Sequence, residues 1–196
     1  MTMRADYRTI LEWVPQGSKV LDLGCGEGEL LALLQDKKQV RGVGLELSLD
    51  CVAECISRGV SAYQGDLDQG LADLRSQSYD VVILNQTLQV TRKPRDVMEE
   101  ALRVGSRVIV GFPNFAYWRV RLQVIRGRTP QTPDLPFAWY ETPNFHFLST
   151  LDFADFVRKD GLQVLREAHF NGEHRVPVLH NLLATNSLFE LKVREK

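Results

Sequence analysis

The segment Val20–Gly28 constrains the fold of this chain more than any other. An apolar run over Lys19–Leu23 ends in glycines at alternating positions 24, 26 and 28, and leucines at helical spacing follow at once. Glycines between a strand and a helix permit a tight turn, close approach of a ligand to the backbone, and close packing of the helix on the strand. The segment therefore predicts the first strand–turn–helix unit of a nucleotide-binding domain.

The rest of the chain repeats this alternation of strands and helices. Tyr79–Leu84 is a nearly unbroken apolar run, typical of a central strand covered on both faces. Five parallel strands are expected, with four helices between them that include a weak one at Leu71–Arg75. Two last strands, near 163–168 and 188–193, are too close in sequence for a crossover helix, so we expect them to be antiparallel. The predicted fold is α/β: one doubly wound, Rossmann-like domain over residues 1–196, with a mostly parallel seven-stranded sheet and an antiparallel terminal hairpin.

Composition narrows the class of protein. Apolar residues make up 44% and charged residues 25%, as in an ordinary globular protein. Lys and Arg number 24 against 25 Asp and Glu, so there is no overall positive field to attract nucleic acid. Three cysteines and four histidines show no metal-ligand spacing, and we expect no metal site and a reducing cytoplasm. No run is apolar enough for a membrane span and the first residues lack a signal-peptide pattern, so no membrane partner is expected.

Two acidic residues define the expected ligand. Asp22 stands just before the glycines, where it would repel a pyrophosphate but would suit an ammonium group. The loop also reads Gly-x-Gly-x-Gly rather than the Gly-x-Gly-x-x-Gly of dinucleotide sites. Glu46 ends the second predicted strand, where a carboxylate accepts hydrogen bonds from both ribose hydroxyls. A nucleoside that carries an amino acid, S-adenosylmethionine or its product S-adenosylhomocysteine, meets both demands.

The same motifs resemble those of a known superfamily. Val20–Glu29 is similar to the first motif of the class I S-adenosylmethionine-dependent methyltransferases, Glu46 to the second and Gln64–Leu67 to the third. The resemblance implies that Asp66 receives the adenine amino group and that Asn85 lies beneath the methionine portion. The cofactor-binding residues expected from motifs and resemblance together are Asp22, Gly24, Cys25, Gly26, Glu46, Leu47, Gly65, Asp66, Leu67 and Asn85.

A narrower resemblance covers essentially the whole chain. Leu21–Gly28, Asn85–Gln89, Val110–Phe115 and Thr142–His146 together resemble the MetW family of methionine biosynthesis proteins. Membership would imply a partnership with homoserine O-acyltransferase, whose activity the family supports in the pathway to methionine.

No catalytic residue emerges from the sequence. A methyl acceptor of high pKa needs a base, and Asn85–Gln89 offers neutral side chains only. His146 is the best candidate base but is more simply a hydrogen-bonded structural histidine, and Cys25 is more simply a small buried residue than a nucleophile. Two functions stay open: a cofactor-binding protein that supports the acyltransferase, and an active methyltransferase acting on a small metabolite. A scaffold with a vestigial site is disfavoured because the acidic residues of all three motifs are present.

An aromatic-rich insertion at about residues 113–147 is expected to be irregular. With Phe112 included, it holds nine aromatic residues and five of the chain's eight prolines. Three interpretations are open: a lid over the cofactor, a docking surface of the kind rich in aromatic residues and arginine, or packing beside a sheet edge. The side chains concerned are Tyr117, Trp118, Phe137, Trp139 and Tyr140, with Arg119, Arg121, Arg126 and Arg128 among them.

Overall fold

The computed structural model describes residues 3–194, which form an eight-stranded sheet with helices on both faces. The strands are β1 Lys19–Leu23, β2 Arg41–Glu46, β3 Ser61–Gln64, β4 Tyr79–Asn85, β5 Gly105–Pro113, β6 Leu162–Asn171, β7 His174–Arg175 and β8 Asn186–Val193. The helices are α1 Ala5–Trp13, α2 Glu29–Lys38, α3 Leu49–Ser57, α4 Pro94–Val104, α5 Trp118–Ile125, α6 Thr150–Lys159 and α7 His180–Leu183.

The parallel part of the sheet is doubly wound, as predicted. The strand order is β3-β2-β1-β4-β5-β8-β6-β7, and every pairing from β3 to β5 is parallel. The chain progresses outward from β1 on one side and from β4 on the other, so the winding reverses between these two strands. A crevice at the carboxyl ends of the strands, at such a reversal, is the usual ligand site of this architecture.

The far end of the sheet is antiparallel, also as predicted. Strand β8 lies between β5 and β6 and is antiparallel to both. The count is eight strands rather than seven, because the two-residue strand β7 pairs with the end of β6. Two residues are too few to show the alternating pattern by which a strand is recognised in a sequence.

Two local predictions were wrong. Residues 71–75 form turns instead of a helix, and the short helix of this connection is a 3-10 turn at Leu67–Gln69. Arg103 lies on α4, and its guanidinium donates to the carbonyl oxygens of Leu71 and Leu74, at 2.9 and 2.8 Å. Two carbonyl groups of the predicted helix are therefore bonded to α4 instead. The aromatic insertion is not irregular throughout, because α5 lies within it.

The apolar run of β4 serves two cores. Val82 and Leu84 belong to the cluster that includes α4 and α6, whereas Val81 and Ile83 belong to the cluster that includes α1 and α2. Successive side chains of a strand point to opposite faces, so a strand covered on both faces is apolar throughout. The sequence interpretation of β4 as a central strand is confirmed. Among residues 3–194, no helix has both the length and the apolar character needed to cross a membrane.

Phe112 holds β5, β8 and α6 together, and its substitution tests this core. Its ring centroid lies 4.9 Å from that of Phe153 and 6.0 Å from that of Phe189, and the side chain is fully buried. We expect Phe112→Ala to lower the free energy of unfolding by about 3–5 kcal/mol in urea titrations, through lost burial and a residual cavity. Ile125→Ala is the control, since Ile125 is 82% exposed; it should change stability by no more than about 0.5 kcal/mol. Equal losses in the two variants would contradict this description of the core.

Candidate functional site

The predicted cofactor residues lie where β1, β2, β3 and β4 end. These strands are parallel neighbours, so their carboxyl ends meet at one edge of the sheet. The loop after β1 carries the glycines, and the loop after β3 carries Asp66. Glu46 and Asn85 are the last residues of β2 and β4.

The glycine loop is built for close approach. The backbone φ angles of Gly24, Gly26 and Gly28 are 76°, 54° and 77°. Residues other than glycine rarely adopt this left-handed conformation. A Cβ at Gly24 would lie 2.7 Å from the Thr87 side chain, so this glycine is needed for packing. A Cβ at Gly26 would meet nothing within 4 Å, which leaves open space over the backbone.

Glu46 joins the first two loops. One carboxylate oxygen accepts the backbone N–H of Gly26 at 3.0 Å, and the other accepts the N–H groups of Leu47 at 2.8 Å and Ser48 at 3.1 Å. An ionised carboxylate offers about four acceptor positions, so Glu46 keeps capacity for a hydroxyl donor from a ligand. The three backbone bonds hold its side chain in place before any ligand arrives.

Asp22 is a buried acid that lacks a donor. Its side chain is 3% exposed, and within residues 3–194 no hydrogen bond reaches its carboxylate. Burial, with a smaller contribution from the charge of Glu46, raises the pKa of Asp22 to about 7. A buried charge without partners is unfavourable, and a cation placed beside it would remove the penalty. The surroundings of Asp22 therefore fit an ammonium group.

Cys25 belongs to the glycine loop, and its side chain packs against Cys55 of α3. Its Sγ lies 3.8 Å from that of Cys55, and the Cys55 thiol donates to the carbonyl of Gly26 at 3.2 Å. Burial, which has the largest effect, raises the pKa of the Cys25 thiol above its ordinary value and keeps it protonated at neutral pH. This environment suits a packing residue and disfavours a nucleophile.

A cavity of about 530 Å³ opens at the ends of β2 and β3. Leu47, Gly65 and Asp66 are among the residues that line it. One oxygen of Asp66 accepts the N–H of Asp68 at 2.9 Å, which caps the 3-10 turn and orients the carboxylate. Leu67 packs half-buried against the core. The cavity is large enough for a planar heterocycle next to the Asp66 carboxylate.

Asn85 contacts the N-terminal helix. Its Nδ2 donates to a carboxylate oxygen of Asp6 at 2.9 Å, and Asp6 also binds the guanidinium of Arg4 at 2.6 Å. The Asn85 Oδ1 is buried without a hydrogen-bond partner and so has an unused acceptor.

No motif assigned α1 a role, yet its first residues lie close to the site. Tyr7 and Arg4 both interact electrostatically with Glu29, and Tyr7 also with Asp22. Burial raises the pKa of Tyr7 to about 12, partly offset by Arg4, so its hydroxyl stays protonated. The spacing of α1 indicates a helix only; its proximity to β1 and β4 is a tertiary property without a local signal.

The exposed aromatic rings of the insertion lie away from the glycine loop. Trp139 and Tyr140 are 72% and 69% exposed. Phe137 and Trp139 line a groove of about 590 Å³ whose lining includes no residue of the glycine loop. The exposed rings favour a docking surface over a lid, whereas Tyr117 is buried in a small core of the insertion.

His146, the best candidate base of the sequence, lines a separate apolar cavity of about 240 Å³ with Met98 and Phe153. Its Nε2 is buried without a partner.

Two matches to known protein sequences cover most of this chain. The family model described as "Methionine biosynthesis protein MetW" matches residues 4–193. The bifunctional methionine biosynthesis protein MetXA/MetW of Rhodopirellula baltica is 38% identical over 167 residues, which cover 80% of this chain and 27% of that protein. The chain thus spans about a quarter of this longer relative.

The solved structures show the fold. An S-adenosylmethionine-dependent methyltransferase of Mesorhizobium loti superposes with a TM-score of 0.71 at 15% identity, covering 95% of this chain and 97% of that one. One from Archaeoglobus fulgidus gives a TM-score of 0.67 at 14% identity, with 96% and 91% covered. The fold is therefore the Rossmann-like methyltransferase fold, and the family match over nearly the whole described chain shows that the protein belongs to the MetW family of methionine biosynthesis proteins.

Proposed function

We propose that this protein binds S-adenosylmethionine or S-adenosylhomocysteine at the ends of β1 to β4 and, in methionine biosynthesis, supports a homoserine O-acyltransferase in the cytoplasm. The observation that carries the cofactor assignment is the buried carboxylate of Asp22, without a donor and next to an open glycine loop. S-adenosylmethionine, when bound, supplies an electrophilic methyl group on a sulfonium.

Each part of the site has a binding role in this proposal. Asp22 receives the ammonium group, and Glu46 uses its remaining acceptor capacity for a ribose hydroxyl. The cavity lined by Leu47, Gly65 and Asp66 takes the adenine ring. Asn85, whose amide nitrogen donates to Asp6, lies beside the amino-acid portion, and its Oδ1 has no hydrogen-bond partner within the described residues.

The partner assignment has two supports. The Rhodopirellula relative carries a MetXA part and a MetW part in one chain, and we identify the MetXA part with the acyltransferase. A fusion keeps two domains at a high effective concentration, which favours partners that otherwise associate as separate chains. Here the insertion offers exposed Phe137, Trp139 and Tyr140, the residue types that dominate interface energetics.

A second candidate function is methyl transfer to a small metabolite. A polar cleft of about 320 Å³ is lined by Asp6, Gln86, Asp134 and Asn186. Gln86 donates to Asn186 at 2.9 Å, and Asp6 binds Asn85. The Asp6 carboxylate thus lies between Asn85 of the cofactor site and a cleft large enough for a small metabolite that accepts the methyl group. Transfer of label from S-adenosylmethionine to an amine or hydroxyl metabolite, abolished by Asp6→Asn, would favour this function over the first.

The ligand assignment is tested by stability and calorimetry. Saturation at 100 times the dissociation constant should add about 2.7 kcal/mol to the free energy of unfolding. We expect Asp22→Asn to weaken binding by roughly 10- to 100-fold, because a charge-assisted hydrogen bond contributes about 1.5–3 kcal/mol. Asp50→Asn is the matched control, an exposed acid on α3. Absence of a shift with both ligands, or equal affinity in the two variants, would refute the assignment.

Proton release gives an independent check on Asp22. Because its folded pKa is about 7 and its unfolded value is about 3.9, the folded state holds an extra proton between these values. The free energy of unfolding should therefore fall as pH rises from about 4 to 7, and this fall should be smaller in Asp22→Asn than in the wild type. An ammonium beside Asp22 lowers this pKa, so binding near pH 6 should release up to about one proton. Calorimetry in two buffers of different ionisation enthalpy measures the number of protons released on binding. Equal proton release by Asp22→Asn would contradict the role of Asp22 as the partner of the ammonium group.

The docking surface is tested by one substitution and its control. We expect Trp139→Ala to weaken association with homoserine O-acyltransferase at least about 30-fold, a loss of about 2 kcal/mol that is typical of an interface hot spot. Ile56→Ala removes a side chain that is also exposed, at 61%, but lies on α3. Titration of each variant with the labelled enzyme gives the affinities. Unchanged binding by Trp139→Ala would exclude this surface while leaving the cofactor assignment intact.

A further inference from the structure

A second cluster of chemically active side chains lies at the antiparallel end of the sheet. Glu167 and His169 are two residues apart on β6, and His180 begins α7. One ligand atom from each, a carboxylate oxygen or a ring nitrogen, lies within 4.8 Å of the others. We call these three residues the His169 cluster. It is well removed from the glycine loop, since β4, β5 and β8 separate β6 from β1.

His169 is held in a fixed orientation. Its side chain is 4% exposed, and its Nδ1 lies 2.9 Å from the hydroxyl of Ser187, its cross-strand partner on β8. The Ser187 hydroxyl in turn lies 2.8 Å from that of Thr150. When Nδ1 carries the proton and donates to Ser187, the Nε2 lone pair is left free. A hydrogen bond from the other ring nitrogen commonly orients a metal-binding histidine in this way.

The free nitrogen of His169 is aimed into the cluster. Its Nε2 is buried and has no hydrogen-bond partner, and it lies 3.8 Å from a carboxylate oxygen of Glu167. The His180 ring stacks on that of His169, with centroids 4.0 Å apart. Burial, with a contribution from His180, lowers the pKa of His169 to about 4. Its imidazole is therefore neutral at physiological pH, the form that binds metal ions.

We infer that Glu167, His169 and His180 form a binding site for a divalent transition-metal ion, with zinc as the reference ion. Two imidazoles and one carboxylate suit zinc and its neighbours rather than magnesium or calcium, which prefer oxygen ligands. Nitrogens on a tetrahedral zinc lie about 3.3 Å apart, so at most about 1.5 Å of closing remains from the observed separation. Only His169 is buried; Glu167 is exposed and His180 partly exposed, so these two side chains have room to close the distance.

The surrounding cleft admits an ion and further ligands. A cavity of about 380 Å³ is lined by the cluster and by Arg121, Leu179 and Asn181, among others. The Arg121 guanidinium already donates to the carbonyl oxygens of Ala116 and Asn181. Three protein ligands leave one tetrahedral position for water or an incoming group. A bound ion would fasten α7 to β6 across the connection between β7 and β8.

The sequence predicted no metal site because His169, His174 and His180 have no ligand-like spacing. The fold removes that objection: His174 is on β7 and outside the cluster, whereas His169 and His180 are brought into ring contact. His174 therefore provides the matched control.

Zinc alone, added to untagged full-length protein, tests the inference without reference to the cofactor or the partner enzyme. We expect one equivalent of zinc to survive dialysis in the wild type and a rise in melting temperature on zinc addition. His180→Ala and Glu167→Gln should weaken zinc binding at least about 10-fold, since each loses a ligand. His174→Ala, also exposed, should bind as the wild type does. His180 and Glu167 are chosen because neither is fully buried, so their variants should fold.

Cobalt substitution identifies the ligands directly. Co²⁺ at this site should give the visible spectrum of a four- or five-coordinate nitrogen–oxygen site, without the near-ultraviolet charge-transfer band of a thiolate. Three results would overturn the inference: no stoichiometric zinc in the wild type, equal affinity in His180→Ala, or a thiolate band that places the ion at Cys25 and Cys55. Circular dichroism of each variant separates loss of a ligand from loss of the fold.

Discussion

The side chain of Glu46 holds together the two loops on which the site depends. Its carboxylate binds the N–H of Gly26 after β1 and those of Leu47 and Ser48 after β2. The parallel pairing of β1 and β2 brings both loops to the same edge, and the left-handed glycines let the first loop turn toward Glu46. Because these contacts lie within the protein, the open backbone at Gly26 and the capacity left on Glu46 exist before a ligand binds. Such preorganisation reduces the entropy lost on association.

Asp22 shows how function opposes stability at this edge. It lies on β1 between the apolar, buried Leu21 and Leu23, and it is buried with them without a hydrogen-bond donor. An isolated domain would be more stable with a neutral residue there. Its raised pKa describes that penalty, and a cationic ligand would remove it. The same reasoning distinguishes Asp22 from Glu190, which is fully buried beside Arg107 and Arg166 and so has cationic partners within the protein.

The parts of the fold that the sequence predicted correctly have local causes. The double burial of β4 and the glycine turn after β1 each follow from a few consecutive residues, and the structure has both. The predicted helix at Leu71–Arg75 failed because a distant arginine binds its carbonyl groups. Strand β7 was missed because its pairing with β6 stabilises a segment too short to show a period. Local patterns thus gave the elements, and long-range contacts gave the exceptions.

The sequence by itself determined the class of fold, the family, and the acids and glycines near the carboxyl ends of β1, β2 and β3, because these depend on residue type and short spacing. Only the tertiary structure decided what surrounds them. It placed Asp6 of α1 on Asn85, left Trp139 exposed away from the glycine loop, and stacked His180 on His169. These contacts join residues far apart in the chain, and they form because β8 lies between β5 and β6 and α1 packs against the sheet. The spacing of residues in the sequence does not determine these contacts, whereas the packing of the whole sheet does.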